Sequence, residues 1–261
     1  MNNNSQFEQQ RIVILMYHGT PFEKPDSRYS IQVKKFLAQL NYLKKDGWHT
    51  ALIQDLKNPE KLQKKTVILT FDDGFDNNYK GAFIPLLEHA MKATWFITTN
   101  YIDRHALWMG AETKQTKMLS SIQLKEMSQQ GMEIASHTCS HPDLSRLHYS
   151  KQLEELKQSK KTLESILSRT IVSFAYPYGR YNEETLSAIK EARYLLACST
   201  QSGFYQSTES PLLIRRVTIF KNDTVFTLAN KLAFANNDVS LNHLSRYYWQ
   251  RLKKFPISSK K

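Results

Sequence analysis

Two cysteines in 261 residues, Cys139 and Cys198, are too few to staple a small secreted scaffold. Eight glycines and eight prolines exclude a collagen-like or low-complexity chain. No uncharged apolar run approaches the ~20 residues of a membrane-spanning helix. The longest clear one, IVILM at 12–16, has the length of a strand. MNNNSQFEQQ at the start lacks the basic-then-apolar profile of a secretory signal, so no export address is read there. Acidic residues are the scarcer charge, 24 against 36 Lys and Arg, and the excess of 12 is uneven. From Leu212 to Lys261 ten basic residues stand against Asp223 and Asp238, so the last fifty residues carry +8 of it. Basicity is therefore a property of the tail, and no nucleic-acid-binding module accompanies it.

What is present is the composition of a folded core, 41% apolar with 11% aromatic residues. Short apolar runs alternate with helical periodicity. Strands are expected at 11–17, 66–71, 93–98, 132–136, 171–176, 194–199 and 213–220. Helices are expected after the first strand (Val33, Phe36, Leu37, Leu40 and Leu43 on one face, Gly47 beyond its end), around 79–91, at 121–130, from a Ser150 cap through Leu167, and from Asn182. Such alternation implies parallel strands, as a barrel or a doubly wound sheet, with chemistry at the strands' C-terminal ends.

Four strand ends carry reactive residues: Tyr17-His18, Asp72-Asp73-Gly74, His137 with His141, and Pro177-Tyr178-Gly179. Adjacent carboxylates repel and are costly to bury unless a cation compensates them. His137 and His141 have the i, i+4 spacing that suits a zinc-like metal. Two His and one carboxylate make an open metal site, which accounts for one aspartate and leaves the other free to act as a base. Either pattern alone is also met in ordinary solvated turns. Their joint appearance at strand ends is the informative feature.

TFDDG (70–74), SHTCSH (136–141) and PYG (177–179), in that order, resemble the signature motifs of the polysaccharide deacetylases, the NodB-homology family. The resemblance covers roughly residues 66–180. It implies an incomplete, distorted (β/α) barrel of the (β/α)7 type, formed by 11–236 after a flexible segment 1–10. It also implies Asp72 as general base and Asp73, His137 and His141 as ligands of a divalent metal, Zn²⁺ first, with Co²⁺ or Ni²⁺ as alternatives. Two departures narrow it. Ala175 stands where the family's R-x-P-Y-G motif has Arg, and the late L-x-H strand with the acid His is not evident. ILMYHGT at the N-terminus and LIRRVTI late in the chain are instead similar to the branch that deacetylates poly-N-acetylglucosamine. On that reading His18 is the general acid, with His243 of Leu241-Asn242-His243 as competitor. Arg216, ahead of Arg215, supplies the missing guanidinium near Asp72.

The implied reaction is hydrolysis of an acetamide, with a backbone N–H at Tyr178, stiffened by Pro177, sharing the oxyanion, and with Trp108 as a candidate sugar-stacking residue. The implied partner is an N-acetylated amino-sugar polysaccharide, the protein being a monomer. Peptidoglycan, chitin or O-acetylated xylan is the alternative substrate, and a non-catalytic glycan- or membrane-binding relative the alternative class. The family implies work outside the cytoplasm, whereas the absent signal argues for a cytoplasmic protein. Residues 237–261 are expected to form a basic amphipathic helix, with Leu241, Leu244, Tyr248, Leu252 and Phe255 on one stripe. That stripe packs on the domain, or else rests on an anionic membrane or cell-wall surface.

Overall fold

The computed structural model describes residues 10–25, 27–106, 108 and 116–239. Its frame is an all-parallel sheet of eight strands: β1 (Arg11–Tyr17), β2 (His49–Ala51), β3 (Lys65–Phe71), β4 (Thr94–Ile97), β5 (Glu133–Ser136), β6 (Ser173–Ala175), β7 (Leu196–Cys198) and β8 (Val217–Thr218). Seven follow one another in the order β7-β6-β5-β4-β3-β1-β8. The eighth, β2, takes the first half of one β3 edge and β4 takes the second half.

The ring closes through one irregular segment. Ile214 bridges Cys198 at the β7 edge, and Val217–Thr218 pair with Leu15 and Met16 of β1. The strand expected over 213–220 is thus regular only at Val217–Thr218, because its two ends serve different neighbours. This is the incomplete, distorted barrel that the family resemblance implies.

Period-two alternation sorts the strands into two faces. Ile12, Ile14, Ile68, Phe96, Ala135, Ala175, Cys198 and Ile214 form one buried cluster inside the ring. Their neighbours, among them Val13, Leu15, Val67, Leu69, Trp95 and Phe174, pack outward under the helices. Both faces are apolar, as a parallel sheet covered by helices requires. Continuing the inward register past the last apolar residue of each strand gives His18, Asp72, His137 and Arg216. The strand pattern itself therefore delivers those four side chains to one end of the barrel.

The helices are α1 (Val33–Lys45), α2 (Ile84–Glu88), α3 (Ser121–Gln129), α4 (Tyr149–Leu167), α5 (Glu183–Glu191) and α6 (Val225–Phe234). Asn182 caps α5, accepting from the Thr185 N–H at 2.8 Å, with Glu183 and Glu184 in the first turn where the helix dipole favours them. α4 starts one residue before the expected Ser150 cap: its N-cap is His148, and no side chain caps it. The helix expected over 79–91 is a π-helical turn, Tyr79–Phe83, running into the short α2. A Cβ on Gly81 would lie 2.0 Å from the Thr20 carbonyl oxygen, so the helix passes directly against the loop that follows β1. Asn77 and Asn78 tie the same loop down, Thr20 N–H donating to Asn77 Oδ1 at 3.0 Å and Thr20 Oγ1 to Asn78 Oδ1 at 2.9 Å. Gly81→Ala is expected to cost about 1–3 kcal/mol by overpacking against backbone that cannot retreat. Thermal melts measure it, and the displaced β1 loop should lower activity as well.

α6 was not expected from sequence; Thr224 caps it, and Lys231 lies buried on it, donating to Asp223 and to the Thr218 carbonyl. The basic stripe of 241–255 and His243 lie outside the described residues. Among those described, no helix is long and apolar enough to cross a membrane.

Candidate active site

β3 ends at Phe71, and the chain turns immediately through Asp72, Asp73 and Gly74. Asp73 adopts φ 74° and Gly74 φ 91°, a left-handed pair that points the two adjacent carboxylates in different directions. Asp72 keeps the inward register. Arg216, fully buried, grips it with both prongs: Nη1 donates to Oδ1 at 2.6 Å and Nη2 to Oδ2 at 2.8 Å. The guanidinium is itself fixed, donating from Nε to the Ser199 carbonyl at 3.0 Å and from Nη1 to Thr70 Oγ1 at 3.2 Å, and it lies over the Phe96 ring. Burial alone would push the Asp72 carboxyl up. The charge of Arg216 chiefly, with His137, the Arg216 hydrogen bonds and His18, outweighs that and holds it below the ordinary carboxylate range. Arg215, the less favoured candidate, points away and pairs with Glu209 at 2.8 Å.

Asp73 faces the histidines. Its Oδ1 lies 3.3 Å from His141 Nε2 and 3.6 Å from His137 Nε2, and ligand atoms of the three residues all lie within 4.8 Å of one another. Burial again pushes the Asp73 carboxyl up, and three neighbouring imidazoles, His141 first, then His18 and His137, bring it below its ordinary value. His137 hands its Nδ1–H to the Ala175 carbonyl at 2.8 Å. Burial, reinforced by His141, lowers the His137 pKa from 6.5 to about 4, so the ring is neutral near pH 7. A neutral ring that donates from Nδ1 has a bare lone pair at Nε2, and that lone pair faces a carboxylate oxygen. Two acceptors at that distance repel unless something positive lies between them. An Asp/His/His donor set whose ligand atoms converge, with the His137 lone pair facing the carboxylate, therefore fits a divalent metal ion of the zinc type.

This arrangement predicts a pH dependence for the chelator-treated protein. The native state disfavours protonated His137, so the unfolded chain binds more protons between pH 6.5 and 4. The His137 contribution is complete above pH 6.5 and lost as pH falls towards 4, amounting to roughly 3 kcal/mol. Asp72 and Asp73, both depressed, add a second loss below their ordinary 3.8. Melting temperature against pH in excess chelator checks it; added metal ion should raise the curve at neutral pH and steepen the upper step, because ion and protons compete for the same ligands.

The HxxxH residues form no helix. Thr138 (φ 70°) and His141 (φ 62°) are left-handed, and His141 N–H donates to Thr138 Oγ1 at 3.0 Å. The His141 ring is wedged between aromatics, stacked on Trp108 at 5.3 Å and edge-on to Tyr178 at 4.7 Å. Tyr178 is left-handed too (φ 59°). Its turn bonds Gly179 N–H to the Tyr176 carbonyl and Arg180 N–H to that of Pro177, leaving the Tyr178 N–H unused by the turn. Four non-glycine residues with positive φ around one cluster mark a site where geometry was bought with strain.

These residues share the floor of a groove of about 850 Å³. His18 lines it from the end of β1, its ring 5.2 Å from that of Tyr29, which in turn lies 5.9 Å from Phe220. The structure thus brings Asp72, Asp73, His18, His137, His141, Trp108, Tyr178 and Arg216 together. Pro177 is buried beneath the Tyr178 turn. Sequence reasoning missed the Tyr29–Phe220 wall and the anchors on Arg216, Thr70 and the Ser199 carbonyl. An inward register counted from Ile14 and Ile68 would have found Thr70, whereas nothing in the sequence marks the loop residue Tyr29.

Residues 60–197, just over half the chain, match the family model described as polysaccharide deacetylase. The chain belongs to the polysaccharide deacetylase family. Among similar proteins, YxkH of Bacillus subtilis (strain 168), assigned by its name to these deacetylases, is 32% identical over 215 residues, covering 80% of this chain and 71% of the relative. The poly-beta-1,6-N-acetyl-D-glucosamine N-deacetylase of Staphylococcus aureus (strain MRSA252) is 26% identical over 208 residues, covering 75% and 70%. The solved deacetylase PplD of Streptococcus pyogenes, in complex with acetate, superposes with a TM-score of 0.75 at 31% identity, covering 85% of this chain and 98% of that one. IcaB of Ammonifex degensii shares the fold, with a TM-score of 0.72 at 24% identity over 87% and 97%.

Proposed function

We propose that the protein removes N-acetyl groups from an N-acetylglucosamine-containing polysaccharide of the poly-N-acetylglucosamine type, releasing acetate and leaving a free amine. The carrying observation is the division of labour between adjacent carboxylates: Asp73 faces the Nε2 atoms of His137 and His141, and Asp72 is turned away to a buried guanidinium. The choice of polymer draws on the staphylococcal relative. An extracytoplasmic place of action goes with it.

Asp73 Oδ1 and the Nε2 atoms of His137 and His141 would hold the metal ion, Zn²⁺ in our reading. When bound there, such an ion supplies Lewis acidity, polarising a carbonyl and making a water more acidic. The chain's own groups do the rest. Asp72, kept ionised by Arg216, accepts the proton of the water that attacks the acetamide carbonyl. The arginine fork takes two of the four lone-pair positions of that carboxylate and leaves room for the proton. The Tyr178 N–H, held by the stiff turn at Pro177, is offered to the developing oxyanion. His18 protonates the departing amine, which leaves poorly otherwise. Trp108, stacked on His141 and on Phe75, lines the groove wall as the candidate contact for a sugar ring.

Acetate release from β-1,6-linked N-acetylglucosamine oligomers, with and without chelator, tests the proposal, and β-1,4-linked oligomers run beside them test the linkage. Absence of release after Zn²⁺, Co²⁺ or Ni²⁺ is restored would overturn it. The His18 assignment carries its own prediction. His18→Ala should lower turnover of the acetamide by ~10²–10⁴-fold, and turnover of p-nitrophenyl acetate far less, because that leaving group needs no proton. Should His243→Ala show this pattern instead, the acid is His243.

A further inference from the structure

We propose that Glu155, on the second turn of α4, is a positioning residue for the metal ligands: its carboxylate holds the chain between His137 and His141 and so sets their spacing. The inference rests on reading those two residues with Asp73 as ligands. Cys139 N–H and Ser140 N–H both donate to Glu155 Oε2, at 2.8 and 2.9 Å, and Ser140 Oγ donates to Oε1 at 2.6 Å. Consecutive backbone N–H groups converging on one oxygen form the concave cradle that proteins use for anions. Here the anion is supplied by the protein's own helix. Glu155 makes no ion pair among the described residues, so its charge faces the loop's amides.

The opposite side of the loop is pinned to the turn after β4: Thr99 N–H donates to the Thr138 carbonyl at 3.1 Å and Asn100 N–H to that of Cys139 at 2.9 Å. The loop is thus clamped from both flanks. It needs such a clamp because Thr138, a β-branched residue, and His141 both hold positive φ, a conformation that persists only where its surroundings over-determine it. Of the two imidazoles, His137 is steadied by the Ala175 carbonyl, whereas His141 Nδ1 is buried with no hydrogen-bond partner. The position of His141 therefore depends on its aromatic neighbours Trp108 and Tyr178 and on its backbone, which Glu155 holds one residue upstream.

The test is a titration of the metal-free protein with Co²⁺, followed by its visible absorbance, and with Zn²⁺ against a chromophoric chelator. Glu155→Ala should weaken ion affinity by roughly 10–100-fold, the range seen when groups supporting metal ligands are removed. Glu155→Gln keeps an acceptor for the amides but loses the charge, and Ser140→Ala removes only the hydroxyl contact; both should weaken affinity by less. At saturating ion, Glu155→Gln should recover most of the parental kcat. Glu154→Gln, altering an exposed residue paired with Lys151 at 2.7 Å, should change nothing. Unchanged affinity in Glu155→Ala and Glu155→Gln, with equal loss of melting temperature in metal-free and loaded protein, would show a merely structural role and overturn the proposal. If the parent protein itself takes up neither ion, the ligand reading fails, and amide exchange still judges the clamp. Cys139 and Ser140 should exchange faster in metal-free Glu155→Ala than in the parent, and equal rates would sink it.

Discussion

Asp73→Asn is expected to abolish metal retention and acetate release together, the latter by ~10³-fold or more. The amide keeps the size of the carboxylate but loses its charge, and an Nδ2–H₂ placed near the His137 Nε2 lone pair would satisfy it without any ion. The folded protein should survive the change, since Asp73 has no guanidinium partner to strand. The neighbouring substitution should behave differently. Asp72→Asn should retain the metal ion and lose turnover by ~10²–10⁴-fold, because it removes the proposed base and leaves the Asp73–His137–His141 cluster intact. Metal content by elemental analysis beside kcat/KM separates the two. Loss of metal in Asp72→Asn would end the division of labour proposed for the pair.

Arg216→Met should give the largest loss of stability. It removes the partner of a carboxylate that is buried beside the barrel's apolar interior, and stranding one member of a buried ion pair costs about 3–5 kcal/mol. For a chain of this size that corresponds to a fall in melting temperature of about 6–20 °C. Activity should fall too, since an unpaired Asp72 drifts upward in pKa and loses its orientation. The double variant Asp72→Asn/Arg216→Met should regain much of the stability and none of the activity. A double-mutant cycle on thermal melts measures the coupling directly. Additive losses would mean that the two side chains do not act as a pair.

The residues legible in the sequence were those whose chemistry follows from strand ends. Asp72 and His137 close apolar runs, with Asp73 adjacent to the one and His141 at i, i+4 from the other, so pattern and spacing grouped the four while the family resemblance supplied their roles. Arg216 needed the family resemblance as well, because an Arg-Arg dipeptide in a strand does not reveal which member turns inward. The structure answers through register: Ile214, Arg216 and Thr218 alternate into the ring, while Arg215 turns out to Glu209. The broken closing strand was not legible, since periodicity records burial and not which neighbour each half pairs with. α6 was missed because VFTLANKLAF opens on a β-branched and an aromatic residue and contains a lysine that reads as solvated. Burial of Lys231 against Asp223 is a tertiary fact that no local window carries. Glu155 was hidden similarly, one acidic residue among several on a helix whose polar face looks uniformly solvated.

The link between Asp72 and Arg216 spans 144 residues of sequence, and the segment bearing Arg216 is also the one that closes the ring. This gives the molecule an order of assembly during synthesis. A chain emerging from the ribosome as far as β7 already holds every proposed metal ligand, yet its Asp72 has no counter-charge and β1 has a bare edge. Residues 214–218 settle both deficits in one event, pairing the free edge and neutralising the interior acid. The Asp72–Arg216 charge pair and the completion of the barrel are therefore carried by one late segment, so a nascent chain is expected to gain both together.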